Sequence, residues 1–491
     1  MSTPFPKGST RNALLSALPG NDISSVRDVR DPGFTYVPPS HARALDPENT
    51  IVEGIRGAGK SFWWQALNSA QHREFIRTAF PEVRFSEGLQ VAQGFGAQAN
   101  PLWPSKDVLR KLSNEFEPRH IWRAVIATHA GFDGDFPINS KWEDKTRWVA
   151  EHPEEFDEVL YRRDAELSSK GATLLILFDA LDRLADDWNG IRPLAKSLFQ
   201  VGLDTRSLRA IRLKMFVRPD MLEDKEIIGF PDASKLLARK VSLAWRRVDL
   251  YALLFQCLGN APGGGDDFRN HCEQEFRLTW RQGTVDGPWI IPSPLRTGEE
   301  LQKALFHAIA GPAMASGASG HKRGFPYTWL PNHLLDGREQ VSPRSYAAAL
   351  RHAALVEETP SEWPYALHYK AIQQGVQEAS RVRVDEITKE DYPWVEVVMQ
   401  PLRRQITVPC PKEDVLNIWN TAGTIDSLNL QTQSKEVKLL PPHLQEGSGG
   451  VLEDLVQLGV VQYLSGDRLQ MPDVYRIAFG LGRRGGVKPL R

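Results

Sequence analysis

The chain has 491 residues, enough for two to four domains and more than one hydrophobic core. Its hydrophobic and charged fractions, 41% and 25%, are those of an ordinary globular protein, and a formal net charge of −1 excludes the basic coat of a protein that wraps nucleic acid along its whole length. Three cysteines, Cys257, Cys272 and Cys410, lack metal-site or disulfide-framework spacing, no apolar run is as long as a membrane span, and residues 1–20 lack the apolar core of a secretion signal; the expected setting is a reducing cytoplasm without a membrane partner.

Residues 1–47 read as an N-terminal extension rich in Ser, Pro, Asp and Arg, with order expected only at 34–37. From Thr50 short apolar runs alternate with helical patterns, which argues for a parallel α/β sheet. Ile51 and Val52 end the first strand, and 62–67 begin a helix. Between them stands Gly54-Ile55-Arg56-Gly57-Ala58-Gly59-Lys60-Ser61, a complete G-x-x-x-x-G-K-[ST] phosphate loop. Its glycines let successive backbone N–H groups turn inward onto a phosphate chain, and the helix start adds partial positive charge. Gly54, Arg56, Gly57, Ala58, Gly59, Lys60, Ser61 and Phe62 are therefore the expected nucleotide-binding residues. Lys60 would reach the β/γ-phosphates and the Ser61 hydroxyl would ligate Mg²⁺.

Further strands are expected at 83–95, 173–178 and 211–217, the second being an apolar run suited to a sheet covered on both faces. A buried-face helix is expected over 108–130. After Val241 the pattern turns helical, at 248–258, 301–310 and 346–356, followed by a helical block at 365–402. The chain ends with helices at 412–421, 451–458 and 475–481, a hairpin from 460–464 and 468–471, a loop at 441–450 and a basic tail at 483–491.

Hydrolysis needs more than a phosphate loop. Mg²⁺ wants an outer carboxylate, and water wants a base or an orienting group. Asp179 follows the strand 173–178, where a carboxylate sits beside the loop in this architecture, and is the metal-shell candidate. Asp182 is the candidate for polarising water. The plainer readings are a helix cap for Asp179 and a surface pair with Arg183 for Asp182. Arg218 follows the strand 211–217 and can stabilise transition-state charge, unless it only pairs with Asp220. Ser342 and Pro343 start a helix that leaves Arg344 in its first turn, where a cation opposes the helix dipole, so a functional reason for it is in view.

These motifs, GIRGAGKS, FDALDR, FVRPD and SPRSY in that order, resemble those of STAND and KAP-type signalling ATPases, part of the wider AAA+-related group that includes origin-recognition ATPases. The resemblance spans roughly residues 45–355. It implies that Lys60 and Ser61 belong to Walker A, Asp179 and Asp182 to Walker B, Arg218 to sensor 1 and Arg344 to sensor 2, with ATP and Mg²⁺ as cofactors. Ala180 departs from ordinary AAA+ enzymes, whose catalytic Glu stands there, so slow turnover is implied and the catalytic role moves to Asp182. The trans-acting arginine stays open among Arg239, Arg246 and Arg247.

The expected fold is thus an α/β parallel sheet of P-loop NTPase type at 48–245, a helical lid at 246–356, a helical connector at 357–408 and a winged-helix-like domain at 409–491, which resembles the C-terminal module of origin-recognition ATPases. The helix in its reading position carries Glu453 and Asp454 and no Lys or Arg, which favours a protein contact over DNA. Trp329, Trp363, Trp394 and Trp419 point to well-packed helical modules or a partner surface. Three functions follow: an ATP-dependent switch or assembly ATPase of a bacterial signalling or antiphage defence system, with a homo-oligomer or a protein effector as partner; a DNA-associated loader or motor; and, least suited to the helical half, a small-molecule kinase.

Overall fold

The computed structural model describes residues 3–20, 31–317, 320–356, 360, 362–434, 439–484 and 487–490. The chain divides into two compact units, Val37–Leu243 on one hand and Met1–Tyr36 with Ala244–Arg491 on the other.

The Val37–Leu243 unit is built on five strands: β1 (Ile51–Glu53), β2 (Gly88–Phe95), β3 (Ala172–Phe178), β4 (Ile211–Val217) and β5 (Val241–Ser242). Their order across the sheet is β2-β3-β4-β1-β5, and every neighbouring pair is parallel. Aliphatic runs make β3 and β4 buried on both faces, as a sheet between helical layers requires. Because β4 lies between β1 and β3, three strand tips stand side by side: the one that feeds the loop, the one that ends at Asp179 and the one that ends at Arg218.

Two long-range anchors fix β4. Asp164, on the helix Pro153–Ser169, accepts the backbone N–H groups of Arg209, Ala210 and Ile211 at 2.7–3.1 Å. Lys214, fully buried within β4, donates from Nζ to the carbonyls of Ala44, Asp46 and Asn49 at 2.7, 2.9 and 2.6 Å. Burial pushes the Lys214 ammonium down to about 7, against the pull of Asp46 and Glu48.

Several elements differ from expectation. β2 starts only at Gly88, not at 83. The helix expected over 108–130 is two, Lys106–Glu115 and Pro118–Ala130. Phe116 and Glu117 are extended, since a residue before proline is driven out of the helical region. The N-terminal stretch is more ordered than its composition suggests. It contains the helices Lys7–Ala17 and Pro39–Leu45, the first burying Thr10, Ala13, Leu14 and Ala17 at helical spacing.

The other unit is mainly helical, with Arg247–Gly259, Glu299–Ala310 and Pro343–Leu355 where helices were expected. The block at 365–402 breaks into Tyr369–Asp385, a π-helical turn Glu386–Asp391 and Trp394–Met399. Near the C-terminus, helices Lys412–Thr421, Thr424–Ser434 and Gly447–Gln457 precede an antiparallel hairpin of Gln462–Leu464 and Arg468–Gln470, which Cys410–Pro411 extends to three strands. The loop expected at 441–450 is helical from Gly447, and the helix expected at 475–481 is one turn, Asp473–Arg476. Of the basic tail, residues 485, 486 and 491 lie outside the described residues.

Candidate nucleotide-binding site

The loop leaves β1 at Glu53 and re-enters regular structure at Lys60, the first residue of α1 (Lys60–Asn68). Gly57 and Gly59 have φ of 75° and 105°, a region that side-chain-bearing residues enter at a cost, so these two glycines permit the wrap. At Gly54 space is the constraint: a Cβ there would stand 3.2 Å from Ala58 Cβ and from Lys60 Cγ. The Gly54 N–H donates to Val217 O at 3.0 Å, which ties the loop directly to the tip of β4. The wrapped backbone and the helix start together form a cradle with the donor chemistry of a phosphate site.

Lys60 Nζ donates to two loop carbonyls, Gly54 O at 2.6 Å and Ile55 O at 3.0 Å. Burial, and after it the neighbouring Arg218 charge, lower its pKa to about 8, while Asp179, Asp182 and Asp220 pull the other way. Arg218 lies 3.3 Å from Asp182 and 3.1 Å from Asp220, with only 12% of its side chain exposed. Against burial, Arg218 above all, then Arg183 and Lys60, hold the Asp182 carboxyl below its ordinary value. Asp179 is 3% exposed at the tip of β3. Burial raises its pKa, and a hydrogen bond from the Ser61 hydroxyl, the Lys60 charge and the Ala180 backbone restrain that rise.

Lys60, Ser61, Asp179, Asp182 and Arg218 therefore meet at three adjacent strand tips. The plain alternatives weighed for Asp182 and Arg218 resolve in a specific way: Asp182 pairs with Arg218, and Arg218 pairs with Asp220 as well. Asp220 joins the cluster through the Arg-Pro-Asp sequence, in which Pro219 opens a short helix and sets Asp220 in its first turn. Arg344 belongs to the other unit. It lies in the first turn of the helix Pro343–Leu355, capped by Ser342, and its Nη1 lies 2.7 Å from Glu386 Oε1. Of the three open arginines, Arg246 pairs with Asp249 and Arg247 with Glu299.

The Ser61 hydroxyl and the Asp179 carboxylate are adjacent oxygen donors, the hard set that suits Mg²⁺. Inward-turned backbone N–H groups at the wrapped loop and the start of the helix, with Lys60 beside them, complement a phosphate chain. The residues present thus fit a Mg²⁺–triphosphate ligand.

No protein-family model matches the chain, and no curated protein matches it. Among solved structures it is similar to the Aeropyrum pernix ORC1 protein in complex with DNA, at 14% identity over 96% of this chain and 94% of that one, with a TM-score of 0.34. It is also similar to the Aeropyrum pernix ORC2 protein in ADPNP–ADP complexes, at 13% identity over 91% and 94%, with a TM-score of 0.38. A third, CDC6P from Pyrobaculum aerophilum, shares 9% identity over 88% and 83%, with a TM-score of 0.25.

Proposed function

We propose that the protein binds ATP with Mg²⁺ at the Gly54–Ser61 loop, hydrolyses it slowly, and uses the bound state as a switch or an assembly signal. The observation that carries this reading is the glycine-wrapped loop running into a helix at Lys60, with the Ser61–Asp179 and Asp182–Arg218 pairs at the neighbouring strand tips. The loop N–H groups and Lys60 hold the phosphates, Arg218 answers charge that develops on the transferred group, and Asp182 orients or deprotonates the attacking water. Mg²⁺ bound at Ser61 and Asp179 would neutralise the phosphate oxygens. The signalling or antiphage role and the homo-oligomer or effector partner rest on the motif resemblance to STAND and KAP-type ATPases. Mass measurement with and without ATP and Mg²⁺ tests the switch: a nucleotide-driven change of assembly supports it, and no binding in the native protein refutes the site itself.

One observation keeps the DNA-associated reading in play. Asp454, counted against groove entry, points inward: it is 2% exposed and accepts from the His443 backbone N–H at 3.0 Å while its Oδ1 lies 2.6 Å from His443 Nδ1. Glu453 accepts from the Tyr463 hydroxyl at 2.7 Å. Asp454 therefore adds no carboxylate to the helix surface, and Glu453 is the exposed one. Binding in a gel shift that salt abolishes supports a loader; its absence supports the switch.

A further inference from the structure

Trp63 sits in the first turn of α1, three residues beyond Lys60, and is 1% exposed. Its indole N–H is buried without an acceptor. An indole nitrogen can only donate, so its partner must bring a lone pair. The adjacent Trp64 shows the usual outcome, donating to Leu177 O at 3.4 Å. Among the described residues four other buried indoles also lack an acceptor, but Trp63 is singled out by its surroundings. The edge of the ring that carries Nε1 faces the phosphate loop: a Cβ built on Gly59 would stand 3.9 Å from Nε1 and 4.0 Å from Cδ1. The Trp63 amide is itself tied to Gly59 O at 2.9 Å. Phe62 and His41 meet the ring edge-on, at 4.9 and 6.2 Å between centroids, and fix its plane. The ring is held in place, its donor lacks an acceptor, and Gly59 puts no side chain between that donor and the loop, so an acceptor reaches the buried Nε1 once the loop shifts around a ligand.

We propose that the Trp63 indole N–H is a ligand-binding donor, held in reserve for a hydrogen-bond acceptor of the bound nucleotide. This rests on the reading of the loop as a nucleotide site. The acceptor lies either on the phosphate chain or on the nucleoside, and the two give different results with inorganic triphosphate.

Trp63→Phe keeps an aromatic ring and removes the donor. Its Kd for ATP with Mg²⁺ is expected to rise roughly tenfold, the scale of one hydrogen bond to a charged or buried partner. Trp64→Phe removes the same ring volume from the same helix and should leave that Kd within about twofold. If Trp63→Phe weakens ATP and triphosphate alike, the acceptor is a phosphate oxygen; if it weakens ATP alone, the acceptor is on the nucleoside. Unchanged ATP affinity in Trp63→Phe overturns the proposal. Should that variant not fold, the indole ¹⁵N–¹H spectrum of the native protein carries the test. One indole proton is expected to move downfield and exchange more slowly with ATP bound, and a spectrum that ATP leaves unchanged overturns the proposal. A native protein that binds neither ATP nor triphosphate removes the nucleotide reading as well, a result distinct from a loss confined to Trp63→Phe.

Discussion

ATP affinity should fall above about pH 8, because Lys60 loses its proton there in the ligand-free protein. Its pKa is lowered from 10.5 to about 8 by burial and by Arg218. Below that value the ammonium is already present and binding needs no proton. Above it, each binding event must first recharge Lys60. At about pH 9 roughly one molecule in ten carries the proton, so affinity should be about tenfold weaker, or about 1.4 kcal/mol. At pH near 8 binding should take up about half a proton per nucleotide. Other titrations do not mimic this. Phosphate's last ionisation has its midpoint near pH 6 and is nearly complete by about pH 8. Lys214 titrates near 7, and burial raises the Cys410 and Cys272 thiols to about 11 and about 12. Calorimetric titration in buffers of different ionisation enthalpy reads affinity and proton uptake together. Lys60→Arg should bind more weakly but without the fall, since guanidinium stays charged. Flat native affinity from about pH 7 to about pH 9.5, or the same fall in Lys60→Arg, would refute the reasoning. On folding the sign is opposite: the folded chain binds this proton less tightly than the unfolded one, so Lys60 makes ligand-free stability rise with pH between about 8 and 10.5.

Asp182→Asn should retain ATP but slow its hydrolysis by about a hundredfold, the lower end of the range for a general base; unchanged single-turnover rates would move that role elsewhere. Asp164→Ala leaves three backbone N–H groups at the start of β4 without their acceptor, and should cost about 3 kcal/mol or more in urea unfolding, where a loss below about 1 kcal/mol would show that water replaces the carboxylate. Arg344 is 47% exposed on Glu386, so Arg344→Ala should cost under about 1 kcal/mol of stability. A drop in ATP affinity or a changed mass response in that variant would mark Arg344 as a nucleotide sensor, and neither would leave it a surface ion pair.

What could be read from the sequence was what is local. The loop, β3, β4 and the carboxylate and cation at their tips are contiguous runs, and their chemistry is written in adjacent residues. The break at Pro118 was also within reach, through the rule for residues before proline. The anchors of β4 were not, since Asp164 meets residues some 45 positions away and Lys214 meets a carbonyl 170 positions away. Nothing in Arg212-Leu213-Lys214-Met215 tells a buried lysine with three carbonyl partners from an edge lysine in solvent. The inward turn of Asp454 lies between these cases. Val451, Leu452, Asp454 and Leu455 share one buried face, so helical spacing alone places that carboxylate inside.

Ala180 connects the geometry to the expected pace of the site. It follows Asp179 with φ 57° and ψ 39°, a left-handed conformation that costs a residue with a Cβ on the order of 1 kcal/mol. The turn carries the chain into Leu181–Arg183, with Asp182 paired to Arg218. The alanine has no carboxylate to offer, and in the proposed reading the water-activating group is Asp182. That carboxylate is held by a guanidinium and kept below its ordinary pKa, which makes it a weak proton acceptor at neutral pH. Arg218 in turn cannot serve a phosphate fully while Asp182 and Asp220 share it. In the proposed reading, binding therefore has to redistribute these ion pairs before water can be activated, and the bound state outlasts the encounter. In that reading a restrained base favours reporting a nucleotide over consuming it, which is why the switch is preferred to the motor.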